Sequence, residues 1–200
     1  MLANNIFPII QVITNGTIKI PKNFNHRLFV SLEGQKRKND LIRGKGIFSK
    51  VIKNYSGDKR VIINMTLKKD NYKELENVVK IARENNFLGV VCNLYTPTIG
   101  EKSDSVITKK DRKLIISELK RVKSVYPNDF LLSKAMIKWY EFPDLRGFCF
   151  WGDKVKHFDV SWNSRRYFPN LDCSNCGCLA GSLKNPFILL MHLKETRKIF

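Results

Sequence analysis

Four apolar runs in this chain end on small polar residues, each at a strand-like length. Thr14-Asn15-Gly16 closes the first, Ser31-Leu32-Glu33-Gly34 the second, Asn64-Met65-Thr66 the third and Leu94-Tyr95-Thr96-Pro97 the fourth. Short β-branched runs stopped by Asn, Gly or an acid read as buried strands. Helical patterns follow them. Strands that alternate with helices imply a parallel α/β sheet with right-handed crossovers and a site along the rim of strand tips.

The strands are expected at Ile9 to Thr14, Leu28 to Leu32, Arg60 to Leu67 and Phe87 to Leu94. A polar loop follows Gly34, and then Phe48, Val51, Ile52 and Tyr55 fall at helical spacing. A stronger helix starts at Asn71, with Asn71 as N-cap, Glu74 closing a capping box, and Leu75, Val78, Val79 and Ala82 as its apolar stripe. Thr108 and Asp111 offer a second box before Ile115, Leu119 and Val122. After about Asn128 the rhythm breaks into an aromatic stretch with Trp139, Tyr140, Phe148 and Trp151. Those rings pack a small subdomain or stack on a base. A short hairpin over Val155 to Phe168, turning at Asn163-Ser164, and a last helix from Asn185 to Lys198 complete the reading. The expected division is an α/β unit at 1–127 and a small, irregular, Cys-containing subdomain at 128–200.

The chain of 200 residues is 43% hydrophobic and 27% charged, which excludes a disordered polyelectrolyte and supplies a core. No apolar run reaches membrane-spanning length, and Met1 to Asn5 has no basic region before an apolar stretch, so the expected location is the cytoplasm with no membrane partner. Lys plus Arg is 36 against 18 acids, a net charge of +18. That excess points to a polyanion such as RNA, or to a solvated Lys-rich surface. The positive residues (Lys36, Arg37, Lys38; Lys109, Lys110, Arg112, Lys113; Lys120, Arg121, Lys123) look scattered rather than striped. No P-loop, no Gly-x-Gly-x-x-Gly and no His-x-x-x-His spacing occurs.

The strand-end residues resemble those of the radical SAM superfamily, over about residues 9 to 180. Thr14-Asn15-Gly16 is similar to that family's third-strand Thr-Asn-Gly. Ser31-Leu32-Glu33-Gly34 is similar to the fourth-strand Ser-x-Asp-Gly, with Glu in place of Asp, and Asn39-Asp40-Leu41-Ile42-Arg43-Gly44 to the following His-Asp-x-x-Arg-Gly, with Asn in place of His. Asn64-Met65-Thr66-Leu67 with Asn71 resembles the fifth-strand Asn-x-Thr-Leu and downstream Asn, and Tyr95-Thr96-Pro97 the sixth-strand Tyr-x-Pro. The resemblance implies a partial, open half of a TIM-like barrel. It implies that Ser31 and Glu33 contact the ribose or methionine part of S-adenosylmethionine, that Asn64 and Thr66 line the same pocket, and that backbone near Leu94 and Tyr95 holds the adenine. Structural hydrogen bonds for Ser31 and Thr66, and a turn role for Glu33, are the competing reading.

The family's Cys-x-x-x-Cys-x-x-Cys, which holds the [4Fe-4S] cluster that cleaves S-adenosylmethionine, and its Gly-Gly-Glu-Pro motif are both missing from these residues. Such clusters need thiolate ligands. The expectation is a C-terminal portion, from a gene fragment or a split enzyme. It would be inactive alone and would partner a second chain carrying the first two strands.

Five cysteines occur, and Cys173, Cys176 and Cys178 crowd into Cys-x-x-Cys-x-Cys. In a cytosolic chain this favours metal over disulfides. Asp172 and Gly177 keep the loop tight. Cys149 is the expected fourth ligand and His157 the second choice, while Cys92, inside a strand, reads as core. Zn and Fe-S remain open on spacing alone. Family members often carry C-terminal Cys-rich segments with auxiliary Fe-S clusters, which the resemblance favours here, though this chain has Tyr167-Phe168-Pro169 where those segments commonly place a further Cys. The alternative function is a basic, non-enzymatic metal-knuckle protein that binds RNA or another protein.

Overall fold

The computed structural model describes residues 10–141, 157–158, 164–165, 170–172, 175, 177 and 190–192. The four apolar runs pair side by side as β1 (Gln11–Thr14), β2 (Arg27–Ser31), β3 (Val61–Leu67) and β4 (Gly89–Leu94), all parallel and in chain order. The fold is therefore α/β with a four-stranded parallel sheet. Register places Thr14 beside Val30, Ser31 beside Asn64, and Thr66 beside Asn93, so the polar ends gather at one edge of the sheet.

Alternation sorts the two faces. Leu28 and Val30, Val61, Ile63, Met65 and Leu67, and Val90, Cys92 and Leu94 point into the main core. Helices cover that face: α2 (Ile47–Tyr55) with Val51 and Tyr55, α3 (Leu75–Glu84) with Val78 and Val79, and α4 (Lys109–Val125) with Ile115, Leu119 and Val122. The opposite face carries a small second cluster, Ile62 and Leu131 with Phe29, Leu88 and Val91, to which no helix contributes among the described residues. Among the described residues β1 is an edge strand, and its Ile13 is 71% exposed.

Several local expectations change. Lys36 to Arg43, read as a polar loop, is helix α1. The capping box at Asn71 does not form: Asn71 makes no cap bond, a single 3-10 turn (Tyr72–Glu74) precedes α3, and Glu74 Oε2 accepts instead from the Gln35 amide at 2.9 Å. The box at Thr108 does form, with Asp111 N–H donating to Thr108 Oγ1 and Thr108 N–H to Asp111 Oδ2. Past the expected boundary at 127/128, Phe130, Leu132, helix α5 (Lys134–Trp139) and Tyr140 all join the main core. Two buried cations of α4 hold this segment by its carbonyls: Lys123 Nζ donates to Pro127 and Phe130, and Arg112 Nη1 to Tyr140. β5 (His157–Phe158) pairs with antiparallel β6 (Ser164–Arg165) inside the expected hairpin, and Ser164, expected in its turn, is a strand residue. Leu190 to His192 is helical, within the expected last helix. Among the described residues, no helix is long and apolar enough to cross a membrane.

Gly16 shows why the first strand ends where it does. Its φ of +75° belongs to the left-handed region, and a Cβ there would meet Val51 at 2.7 Å and Val30 at 2.8 Å. Its carbonyl accepts from Asn54 of α2 at 3.0 Å. Gly16→Ala is therefore expected to lower unfolding free energy by about 2–4 kcal/mol, combining backbone strain and overpacking, whereas Thr108→Ala costs about 1 kcal/mol. Urea midpoints for the two variants, with unchanged slopes, check the ranking.

Candidate functional site

Just past β2 the chain carries an acid inward. Glu33 is 3% exposed, and a buried carboxylate has to be compensated. Its Oε1 accepts from Arg43 Nη2 at 2.5 Å, and its Oε2 from the Thr66 amide at 3.0 Å and more weakly from Asn71 Nδ2 at 3.4 Å. The Glu33 amide in turn donates to Oδ1 of fully buried Asn39 at 3.1 Å. Asn71 Nδ2 also donates to the Thr66 carbonyl, and its Oδ1 accepts from the Lys68 amide. One carboxylate thus joins the tips of β2 and β3 to α1.

The Asn39-to-Gly44 segment uses each polar member differently. Asp40 takes the amides of Phe48 and Gly46 at 2.8 and 2.9 Å and so caps the start of α2. Chiefly the Phe48 amide, with Gly46 and Asn39 assisting, holds its carboxyl below the usual range.

These tips surround a cleft of 430 Å³ lined by Asn15, Glu33, Ile42, Arg43, Ile47, Thr66, Lys68 and Tyr95. Three expected site residues, Glu33, Thr66 and Tyr95, line it. Ser31 and Asn64 lie beside each other in register just behind, where Asn64 Oδ1 accepts from Asn93 Nδ2 at 3.2 Å. Leu94 is buried, and its amide donates to the Gly177 carbonyl at 3.0 Å; the Tyr95 amide donates to Leu67 at 2.8 Å. Both backbone donors near the expected adenine position are thus engaged within the protein.

Lys68 was not among the expected site residues, although it follows directly on the strand-end Thr66-Leu67. Its Nζ lies 5.1 Å from the centre of the Tyr95 ring and makes no ion pair among the described residues. Because Arg43 balances Glu33, Lys68 gives the cleft a positive charge. The Tyr95 hydroxyl donates to Glu101 at 2.8 Å. Glu101 also accepts from the Ser103 hydroxyl and the Thr98 amide, and these donors, Ser103 first, pull its carboxyl down to about 2. The loop after β4 is thereby ordered around one acid.

Cys149, Cys173, Cys176 and Cys178, the expected metal ligands, lie outside the described residues, and His157 is described only as backbone of β5. The described neighbours of the cysteine loop are tied to the rim. Asp172 N–H donates to Pro97 O, Gly177 N–H to Thr96 Oγ1 at 2.8 Å, and Arg112 Nη2 to Asn175 O. A Cβ at Gly177 would lie 2.1 Å from the Leu94 carbonyl, so only glycine permits this approach. Among the described residues, no three His, Cys, Asp or Glu side chains cluster as a metal site. Cys92 is fully buried, and burial pushes its thiol far above the usual value, consistent with an inert core residue. No family model matches the chain, and no curated protein matches it.

Replacing Glu33 by Gln swaps one acceptor for a donor facing Arg43 or the Thr66 amide. The expected loss is about 2–3 kcal/mol, below the full penalty of a broken buried pair because Arg43 is partly exposed. Chemical denaturation measures it. A depressed carboxyl contributes stability that is complete above its unfolded value and is lost as pH falls through its folded one. Asp40→Asn therefore flattens the acid limb of a stability–pH profile below the ordinary aspartate range and leaves the shape of the profile near neutrality unchanged.

Proposed function

We propose that this chain is the later portion of a radical SAM protein, contributing the third to sixth strands of an open half-barrel. In this reading the cleft at the strand tips takes part of S-adenosylmethionine. The observation that carries it is convergence: residues from four separate strand ends, among them Asn15, Glu33, Thr66 and Tyr95, meet at one cleft. A volume of 430 Å³ with a mixed polar and apolar lining suits a nucleoside or amino-acid-sized ligand. Thr66 supplies a hydroxyl for a ribose or ammonium group, and Lys68 a counter-charge for a carboxylate. Glu33 acts one step back, holding Arg43 and the Thr66 backbone in place.

The cysteine loop holds an auxiliary Fe-S cluster, or zinc, through Cys173, Cys176 and Cys178 with Cys149. Thiolate ligation fits a reducing cytoplasm. In a complete family member, the cluster and S-adenosylmethionine together supply the 5′-deoxyadenosyl radical. The 200 residues hold no Cys-x-x-x-Cys-x-x-Cys, so that chemistry needs strands supplied beyond them, and the chain alone is inactive.

Two measurements test this. Equilibrium dialysis of the full chain against labelled S-adenosylmethionine is expected to show weak binding, reduced roughly tenfold by Thr66→Val or Lys68→Ala, the loss of about one charge-assisted bond. Binding that ignores both variants, or none at all, overturns the cleft assignment. Anaerobic reconstitution with iron and sulfide is expected to give thiolate-to-iron absorption that Cys176→Ala abolishes. Zinc uptake without any iron chromophore points to the metal-knuckle alternative.

A further inference from the structure

Of the basic residues that look scattered along the sequence, those from Lys109 to Lys123 share one helix, α4. A second cleft of 590 Å³, built from none of the residues of the first, is lined by Lys109, Arg112, Lys113, Ile116, Ser117, Lys120 and Glu141. Lys109, Lys113 and Ser117 succeed one another at four-residue intervals, so they form one row on the helix, with Lys120 three residues further. Arg112 and Ile116 are buried beneath the row and make its floor.

The charges differ in their commitments. Arg112 donates to the carbonyls of Tyr140 and Asn175, and Lys120 pairs with Glu141 at 2.5 Å. Lys109 and Lys113 make no ion pair among the described residues. Like charges four residues apart on a helix cost about a few tenths of a kcal/mol, and no ion pair among the described residues offsets that. The helix as a whole carries seven Lys and Arg against two acids.

We propose that this cleft binds the phosphate backbone of a single-stranded nucleic acid, with Lys109 and Lys113 as phosphate contacts and Ser117 as a hydroxyl donor. Side chains four residues apart on a helix stand about 6 Å apart, a step that matches successive phosphates of an extended strand. Charged and hydroxyl side chains together are the usual phosphate partners. No aromatic side chain lines the cleft among the described residues, so recognition runs along the backbone with little base preference. A bilayer fits less well: the surface is concave and its only apolar member, Ile116, is buried rather than projecting. The proposal does not depend on what the first cleft binds.

Fluorescence anisotropy of labelled, mixed-sequence single-stranded RNA and DNA, titrated with the full chain between about 50 and 200 mM salt, tests it. Lys109→Gln combined with Lys113→Gln is expected to lower the slope of log K against log salt by about 1.5 and to weaken binding several-fold. The control pair, Lys50→Gln with Lys53→Gln on exposed α2, removes the same charge and is expected to change the slope by less than half as much. Equal losses from the two pairs overturn the proposal, because binding then follows net charge alone. So does binding to anionic vesicles or polyglutamate without binding to either nucleic acid.

Discussion

The buried carboxylate of Glu33 is the constraint on which the strand-tip architecture depends. Parallel strands end in backbone groups that no neighbour satisfies, and tips are where a sheet can splay. Here one side chain accepts from the β3 backbone at Thr66 and from Arg43 of α1, and reaches Asn71, while its own amide is taken by Asn39. A charge this deep is tolerable only when the pairing is complete, so the geometry of all four partners is specified together. The positions of Thr66 and Arg43 in the cleft follow from that arrangement.

Among the described residues, helices clothe the sheet on one side only. Its helix-covered face carries the continuous core, whereas the other face is apolar toward the strand starts (Phe29, Ile62, Val91) and polar toward their ends (Ser31, Asn64, Thr66, Asn93). This gradient suits a surface whose base is closed off and whose tips meet a ligand. Among the described residues β1 ends the sheet, with Ile13 largely exposed, and a bare edge strand is a template for a further strand.

Much of this was legible in the sequence because strands and amphipathic helices advertise themselves by period. All four strands lie where β-branched runs predicted them, and Leu75, Val78, Val79 and Ala82 face the core as their spacing requires. Helix α1 was invisible because Lys36 to Arg43 is polar nearly all round; what it buries is Asn39, an amide selected by a tertiary hydrogen bond. The Asn71–Glu74 cap failed for a related reason. Glu74 takes the Gln35 amide across the fold, and Asn71 spends its side chain on the Lys68 amide and Thr66 carbonyl just before it, while the exposed Thr108 and Asp111 bond each other. Lys68 in the first cleft, and Glu141 closing the second beside the α4 row, became readable only once neighbours in space were known.

The contact between Gly177 and the β4 tip has a consequence for the order of assembly. The amide of Gly177 reaches Thr96 across 81 residues of chain, one of the longest closures in the molecule. The entropy of such a closure opposes it until the partner surface exists. The pairings of the sheet close shorter loops, Ser31 with Asn64 and Thr66 with Asn93 among them, so the Gly177 contact is expected to form after them, onto a surface they supply.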